Sequence, residues 1–184
     1  MKKIVLTFGL ISGFISAAVM SIAIPLCLNG RTVDFDKAEI IGYSSMVLSG
    51  LLVFFGIRSY RENNGGAITF GRAFKVGILI VLVSCAIYVA AWQIVYYNFI
   101  PDFMQKYTVH TIEKMREDGA TDAAIVKKQK EMADFAELYK NPLVNIGFTF
   151  IEPIPVGLLV TLISAAILRK KPGSQAPNAA TAVA

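Results

Sequence analysis

Four long stretches without charge decide what this chain can become. Residues 4–28, 40–57 and 76–100 contain no Asp, Glu, Lys or Arg, and residues 143–168 contain one, Glu152. An apolar run of about 18 residues or more is a transmembrane helix candidate. At about 1.5 Å per residue the shortest run reaches roughly 27 Å, close to the thickness of a hydrocarbon core. Inside a bilayer the backbone must satisfy its own hydrogen bonds, which leaves helices or a closed barrel. Runs this long and this apolar, without alternation, predict an all-α integral membrane protein with four transmembrane helices.

Charged residues make up 17% of the chain, against about 25% in soluble domains. The +5 net charge sits in short clusters beside the apolar runs, so nucleic acid is not a partner; the lipid bilayer is. Lys2 and Lys3 precede the first run, and Arg169, Lys170 and Lys171 follow the last. The second loop carries Arg58, Arg61, Arg72 and Lys75 against Glu62, while acidic residues outnumber basic ones in the first and third loops. This alternation follows the positive-inside rule. It places both termini in the cytoplasm of a bacterial inner membrane, with the first and third loops outside. The first run is longer than the roughly 7–15 residues of a signal-peptide core and therefore reads as a span.

The third loop is too long for a simple connection. Phe103, Tyr107, Thr111 and Met115, with Met104 and Ile112, recur at helical spacing. Asp118-Gly119 reads as a stop and Thr121 as the next cap, followed by Ile125, Met132, Ala136 and Tyr139. The expectation is an external helical hairpin over 102–140, which either caps the bundle with its apolar stripe or docks a partner. Asn63-Asn64-Gly65-Gly66 marks a turn in the second loop. The domain is thus 1–171, and the tail 172–184, without apolar bulk, reads as disordered.

Within the spans, Gly9, Gly13 and Ala17 lie four apart on the first helix, and Gly157, Thr161 and Ala165 do so on the fourth. Such stripes let helices approach closely, within the chain or against a second copy or another membrane protein. Glu152 stands roughly 14 Å along its helix from the outer end. A charge at mid-bilayer costs about 2.5–3.5 kcal/mol on insertion scales. By depth, Gln93, Ser21, Ser44 and Tyr96 are its candidate partners in one polar layer. Pro153 and Pro155 follow it and remove backbone donors, predicting a kinked or broken helix at the carboxylate. Broken helices beside an acid bind ions in some transporters.

Catalytic chemistry is missing from the sequence. There is no HExxH, P-loop, dinucleotide fingerprint or G-x-S-x-G elbow. The single His110 has no second His or Cys nearby, so neither a metal nor a cofactor is expected. Cys27 and Cys85 should differ in depth by roughly 20 Å and cannot pair. The reading is a non-enzymatic multi-pass protein acting by helix association, as a scaffold, accessory or envelope-maintenance subunit. The competing reading is a small ion-coupled transporter or ligand-binding protein using Glu152.

Three stretches carry a family resemblance: Phe8-Gly9-Leu10-Ile11-Ser12-Gly13, Gly56-Ile57-Arg58-Ser59-Tyr60-Arg61 and, most specifically, residues 66–77 with Phe70-Gly71-Arg72-Ala73-Phe74. Together with the external hairpin and the closing 156–171 segment they make the chain resemble the bacterial membrane proteins of domain of unknown function 4199. The resemblance implies a four-helix inner-membrane protein and carries no site residues.

Overall fold

The computed structural model describes residues 1–29, 32–33 and 35–170. The tail 172–184 lies outside them, as do the side chains of residues 24–29, Cys27 among them. Seven helices account for nearly all of the described chain: α1 Lys2–Cys27, α2 Phe35–Glu62, α3 Phe70–Asn98, α4 Phe103–Glu117, α5 Asp122–Tyr139, α6 Pro142–Ile151 and α7 Ile154–Leu168. Two-residue strands, β1 Leu28–Asn29 and β2 Thr32–Val33, pair antiparallel between α1 and α2. Four stretches are long and apolar enough to cross a membrane: α1, α2, α3 and the α6–α7 pair.

The second span extends beyond its uncharged core. α2 starts at Phe35 and runs to Glu62, adding about a turn at each end of 40–57. Charged residues there reach water or headgroups from helical backbone, so charge limits the buried stretch without ending the helix. The Asn63–Gly66 turn is tight, with φ of +75° at Gly65 and +77° at Gly66, values that L-residues with a side chain rarely adopt. Thr69 then caps α3 by accepting from the Arg72 N–H at 3.4 Å. Arg72 and Lys75 therefore sit on the first turns of α3 and not in a loop.

α1 packs on α2 and α3, and α7 lies against α2 and α3. The molecule is apolar outside as well as inside: Phe14 is 63% exposed and Leu159 59%, as expected where lipid is the solvent. The buried positions combine branched aliphatics, Ile57, Val76 and Ile80 among them, with small or polar residues such as Ser12, Asn145 and Thr161. Lipid supplies no hydrophobic drive between helices, so close backbone approach must supply packing energy instead.

α4 and α5 pack on each other around Gly119, at φ +75°. Thr121 caps α5, accepting from Ala124 N–H. The face of α4 that is buried carries Met104 and Ile112, and that of α5 carries Ile125, Met132 and Tyr139. Met104, Met132 and Tyr139 join Met20, Trp92, Val95, Tyr96 and Ile100 in one apolar cluster. Much of the hairpin stripe is thus spent on the end of the bundle. Tyr107, expected in that stripe, is 41% exposed. It leans instead on Phe35, 5.6 Å away edge-to-face, because the Met104–Ile112 row lies one residue round the helix and takes the covered position.

Candidate functional site

The fourth span is interrupted at its acid. α6 opens with Asn141, whose side chain accepts from Leu143 N–H at 3.0 Å, and Pro142 occupies the first turn, where no donor is needed. α6 ends at Ile151; Glu152 closes it, donating its N–H to the Phe148 carbonyl at 3.1 Å. Pro153 and Pro155 have no N–H, so the carbonyls of Thr149 and Ile151 lose their i+4 donors. The ladder resumes with Gly157 N–H on the Pro153 carbonyl at 2.9 Å. The Glu152 side chain projects from the surface of the chain and, among the described residues, has neither a hydrogen bond nor an ion pair. Tyr88 of α3 and Tyr139 of α5 lie within electrostatic reach of it.

The residues expected beside Glu152 by depth are not gathered there. Ser21 and Ser44 are exposed, while their neighbour Ser45 is buried and donates to the Gly42 carbonyl at 2.7 Å. Gln93 donates from Nε2 to Asn145 Oδ1 at 2.7 Å. Tyr96 is buried among aromatic rings, 5.6 Å from Tyr139 and 6.1 Å from Trp92. Matching depth therefore did not translate into matching face.

A different polar layer forms on α3, α5 and α6. Trp92 Nε1–H donates to the Tyr139 hydroxyl at 3.1 Å, and that hydroxyl is 3.5 Å from Thr149 Oγ1. Thr149 donates back to the Asn145 carbonyl at 2.9 Å. Burial pushes the Tyr139 phenol up, with the hydrogen bonds from Thr149 and Trp92 pulling the other way and the Tyr96 and Glu152 charges adding to the rise. The fully buried Asn145 keeps Nδ2 without a partner among the described residues. Asn145, Thr149 and Glu152 are spaced i, i+4, i+7, one stripe of an otherwise apolar helix. That spacing was visible in the sequence and is the signal that finds Asn145 and Thr149. The first two are covered by the bundle; the third, at the helix end, is not.

The small residues serve contacts inside the chain. A Cβ at Gly9 would meet Val83 at 2.7 Å, and one at Gly13 would meet Ile87 at 2.8 Å, so both face α3. Ala17 is buried further along α1. A Cβ at Gly157 would fall 2.5 Å from Val81. Thr161 lies against Gly77, where a Cβ would come 2.6 Å from its methyl, and Ala165 is fully buried. Thr161 Oγ1 is buried without a hydrogen-bond partner among the described residues.

A second polar cluster was not foreseen. Ser12 of α1 and Ser49 of α2 are hydrogen-bonded through their hydroxyls, and Ser84 of α3 lies 3.1 Å from Ser12. They border a cavity of about 40 Å³ with Ser16, Tyr88 and Pro153. The helical pairs Ser12/Ser16 and Ser45/Ser49 were the available signal, but serines are common on transmembrane helices and a single one says little.

Outside the spans, Lys114 Nζ is 2.7 Å from Asp36 Oδ1, tying α4 to the start of α2. The hydrogen bond and charge of Asp36 push the Lys114 ammonium pKa up. His110 Nε2 is 3.6 Å from the same oxygen, and its ring lies 5.1 Å from Phe35. No group of three or more His, Cys, Asp or Glu side chains that could hold a metal occurs among the described residues. The Cys85 thiol is free and buried.

No curated protein and no solved structure matches the chain. A family model described as protein of unknown function (DUF4199) matches residues 7–170, from the first turns of α1 to the end of α7. The match takes in α1 from residue 7 on and all of α2 to α7, the α4–α5 hairpin and the broken fourth span included, and the chain belongs to this family of unknown function.

Proposed function

We propose that the protein is a non-enzymatic component of the bacterial inner membrane that acts by helix association, as a scaffold, accessory or envelope-maintenance subunit. In this reading both termini are cytoplasmic, following the basic residues Lys2, Lys3, Arg58, Arg61, Arg169 and Lys170. The α4–α5 hairpin is then external. One observation carries the reading. Glu152 sits at a helix end within a span, on the surface of the chain, with neither a hydrogen bond nor an ion pair from its side chain among the described residues. A carboxyl group left against lipid is costly, and a donor from another membrane helix removes that cost. The glycine stripes are occupied within the chain, so the association surface is the exposed side of α6–α7 around Glu152, where Ile151 and Leu159 are also exposed.

Crosslinking tests this. With Cys27 and Cys85 replaced by Ser, Glu152→Cys should be captured by a membrane-permeant bismaleimide, joined to a second copy or another membrane protein. Glu152→Gln, which still hydrogen-bonds, should keep the native complex, and Glu152→Leu should lose it. Rapid labelling of Glu152→Cys in spheroplasts by an impermeant thiol reagent would sink the reading, because it would mean an open aqueous crevice. That outcome would support the ion-coupled alternative. One observation favours the alternative: Pro153, next to the acid, walls the serine-lined cavity. Its signature is proton-dependent flux abolished by Glu152→Gln.

A further inference from the structure

We propose that the cavity bounded by Ser12, Ser16, Ser49 and Ser84 is a built hydration site, holding water at the middle of the membrane between α1, α2 and α3. All four serines are at least nine-tenths buried, and they come from three different helices. Each belongs to the middle of its helix; Ser84 is fourteen residues from the start of the 29-residue α3. Hydroxyls at that depth have no bulk water to bond.

Their number and their donors do not match. A serine hydroxyl has one proton and two acceptor lone pairs. Ser12 alone lies within reach of the Ser49 hydroxyl, the Ser49 carbonyl at 3.4 Å and the Ser84 hydroxyl at 3.1 Å, and its single proton serves one of them. No side-chain N–H lines the cavity among the described residues; Tyr88 adds one O–H. The hydroxyls can bond one another through their own protons, and each keeps an acceptor lone pair to spare. A small guest that donates fits them, and water is such a guest. A water needs about 10–15 Å³ of this kind of space and two to four polar partners. The cavity offers about 40 Å³, with the four serines and Tyr88 set among otherwise apolar walls.

Water goes no deeper. Val53 and Val81 line the cavity, and one turn further Ile57, Val76 and Ile80 are fully buried in an apolar cluster, with the enclosed Thr161 beside Ile57 at Gly77. The site is a wet pocket above a dry plug.

Water-edited solid-state NMR on the full chain, isotope-labelled in lipid nanodiscs, tests this directly. Magnetisation from water should reach Ser12, Ser49 and Ser84 severalfold faster than Ile57 and Ile80. Serine build-up as slow as that of Ile80 would overturn the proposal. In Ser16→Val, which fills part of the space and deletes one hydroxyl, the fast transfer to Ser12 and Ser84 should be lost; its persistence there would also count against the site. Should that variant fail to fold, the unsubstituted chain still decides. The proposal is independent of association at Glu152: failure of the crosslinking above leaves this prediction unchanged.

Discussion

The two ends of the bundle solve the packing problem differently. At the end bearing Arg58 and Lys170, backbones are brought together by small residues. Gly77 admits Thr161 and Ile57, and Gly56 admits Ile80 and Phe8. At the hairpin end large rings do the work: Trp92, Tyr96, Phe103 and Tyr139 meet at centroid distances of 5–6 Å, and a chain of hydrogen bonds runs through Tyr139. The difference follows the solvent. Within lipid there is no hydrophobic drive to exploit, so contact area and close approach hold helices together. Where α4 and α5 meet water, burying aromatic surface again lowers the free energy, and wide apolar side chains become useful.

Four substitutions break or sharpen this contrast. The largest effect should come from Gly77→Ala. Its new Cβ would meet Thr161 Cγ2 at 2.6 Å and Ile57 Cδ1 at 2.9 Å. Overpacking of this kind costs about 1–3 kcal/mol, and reversible unfolding in mixed micelles should show it. Equal stability would mean that the glycine end is looser than described. Next, Tyr139→Phe keeps the ring and removes the hydroxyl shared with Trp92 and Thr149, at a cost of about 0.5–1.5 kcal/mol, or more if the indole N–H stays buried unpaired. Trp92 is the only tryptophan, so its emission should shift; an unmoved spectrum would remove the hydrogen bond from the account.

Thr161→Val tests the glycine end from the opposite side. Thr161 is fully enclosed and its hydroxyl has no partner among the described residues. A shape-matched apolar replacement is expected to be neutral or stabilising by up to about 1 kcal/mol; clear destabilisation would reveal an acceptor for that hydroxyl. The smallest effect belongs to the exposed Lys114–Asp36 contact, where Lys114→Met should leave global unfolding unchanged and only speed amide exchange in α4. The sign of its pH dependence is fixed. The folded Lys114 pKa is raised, so the contribution is fully present below the unfolded lysine value near 10.4 and fades as pH rises through the folded value. Exchange in α4 that slowed with rising pH, after correction for the intrinsic rate, would contradict the assignment.

The spans were legible because they depend on length and hydropathy alone, both one-dimensional quantities. Depth was legible for the same reason, since residues can be counted from the end of a run. Facing was not. Ser21 and Ser44, matched to Glu152 by counting residues, are exposed, while Ser12, Ser49 and Ser84 converge. Rotation of one helix against another is fixed by which glycine meets which branched side chain, as at Gly13 and Ile87, and one sequence does not record such pairings. Asn145 illustrates the intermediate case. Its i+4 relation to Thr149 was readable, but its hydrogen bond to Gln93, 52 residues away, required the fold.

The placement of α7 has a consequence for how the protein is made. α7 fits against α2 and α3 and is pinned at its end by the paired backbones of Ile68 and Lys170 and by Arg61 reaching the Leu168 carbonyl. It leaves the ribosome after α1, α2 and α3. Until then, the faces of α2 and α3 around Gly50 and Gly77 lack Val160 and Thr161, and the nascent three-span intermediate presents an unfilled groove to the membrane. Packing of the four spans therefore waits for α7, which makes truncations before Pro142 candidates for quality-control proteolysis; their survival at normal levels would show that the groove is tolerated.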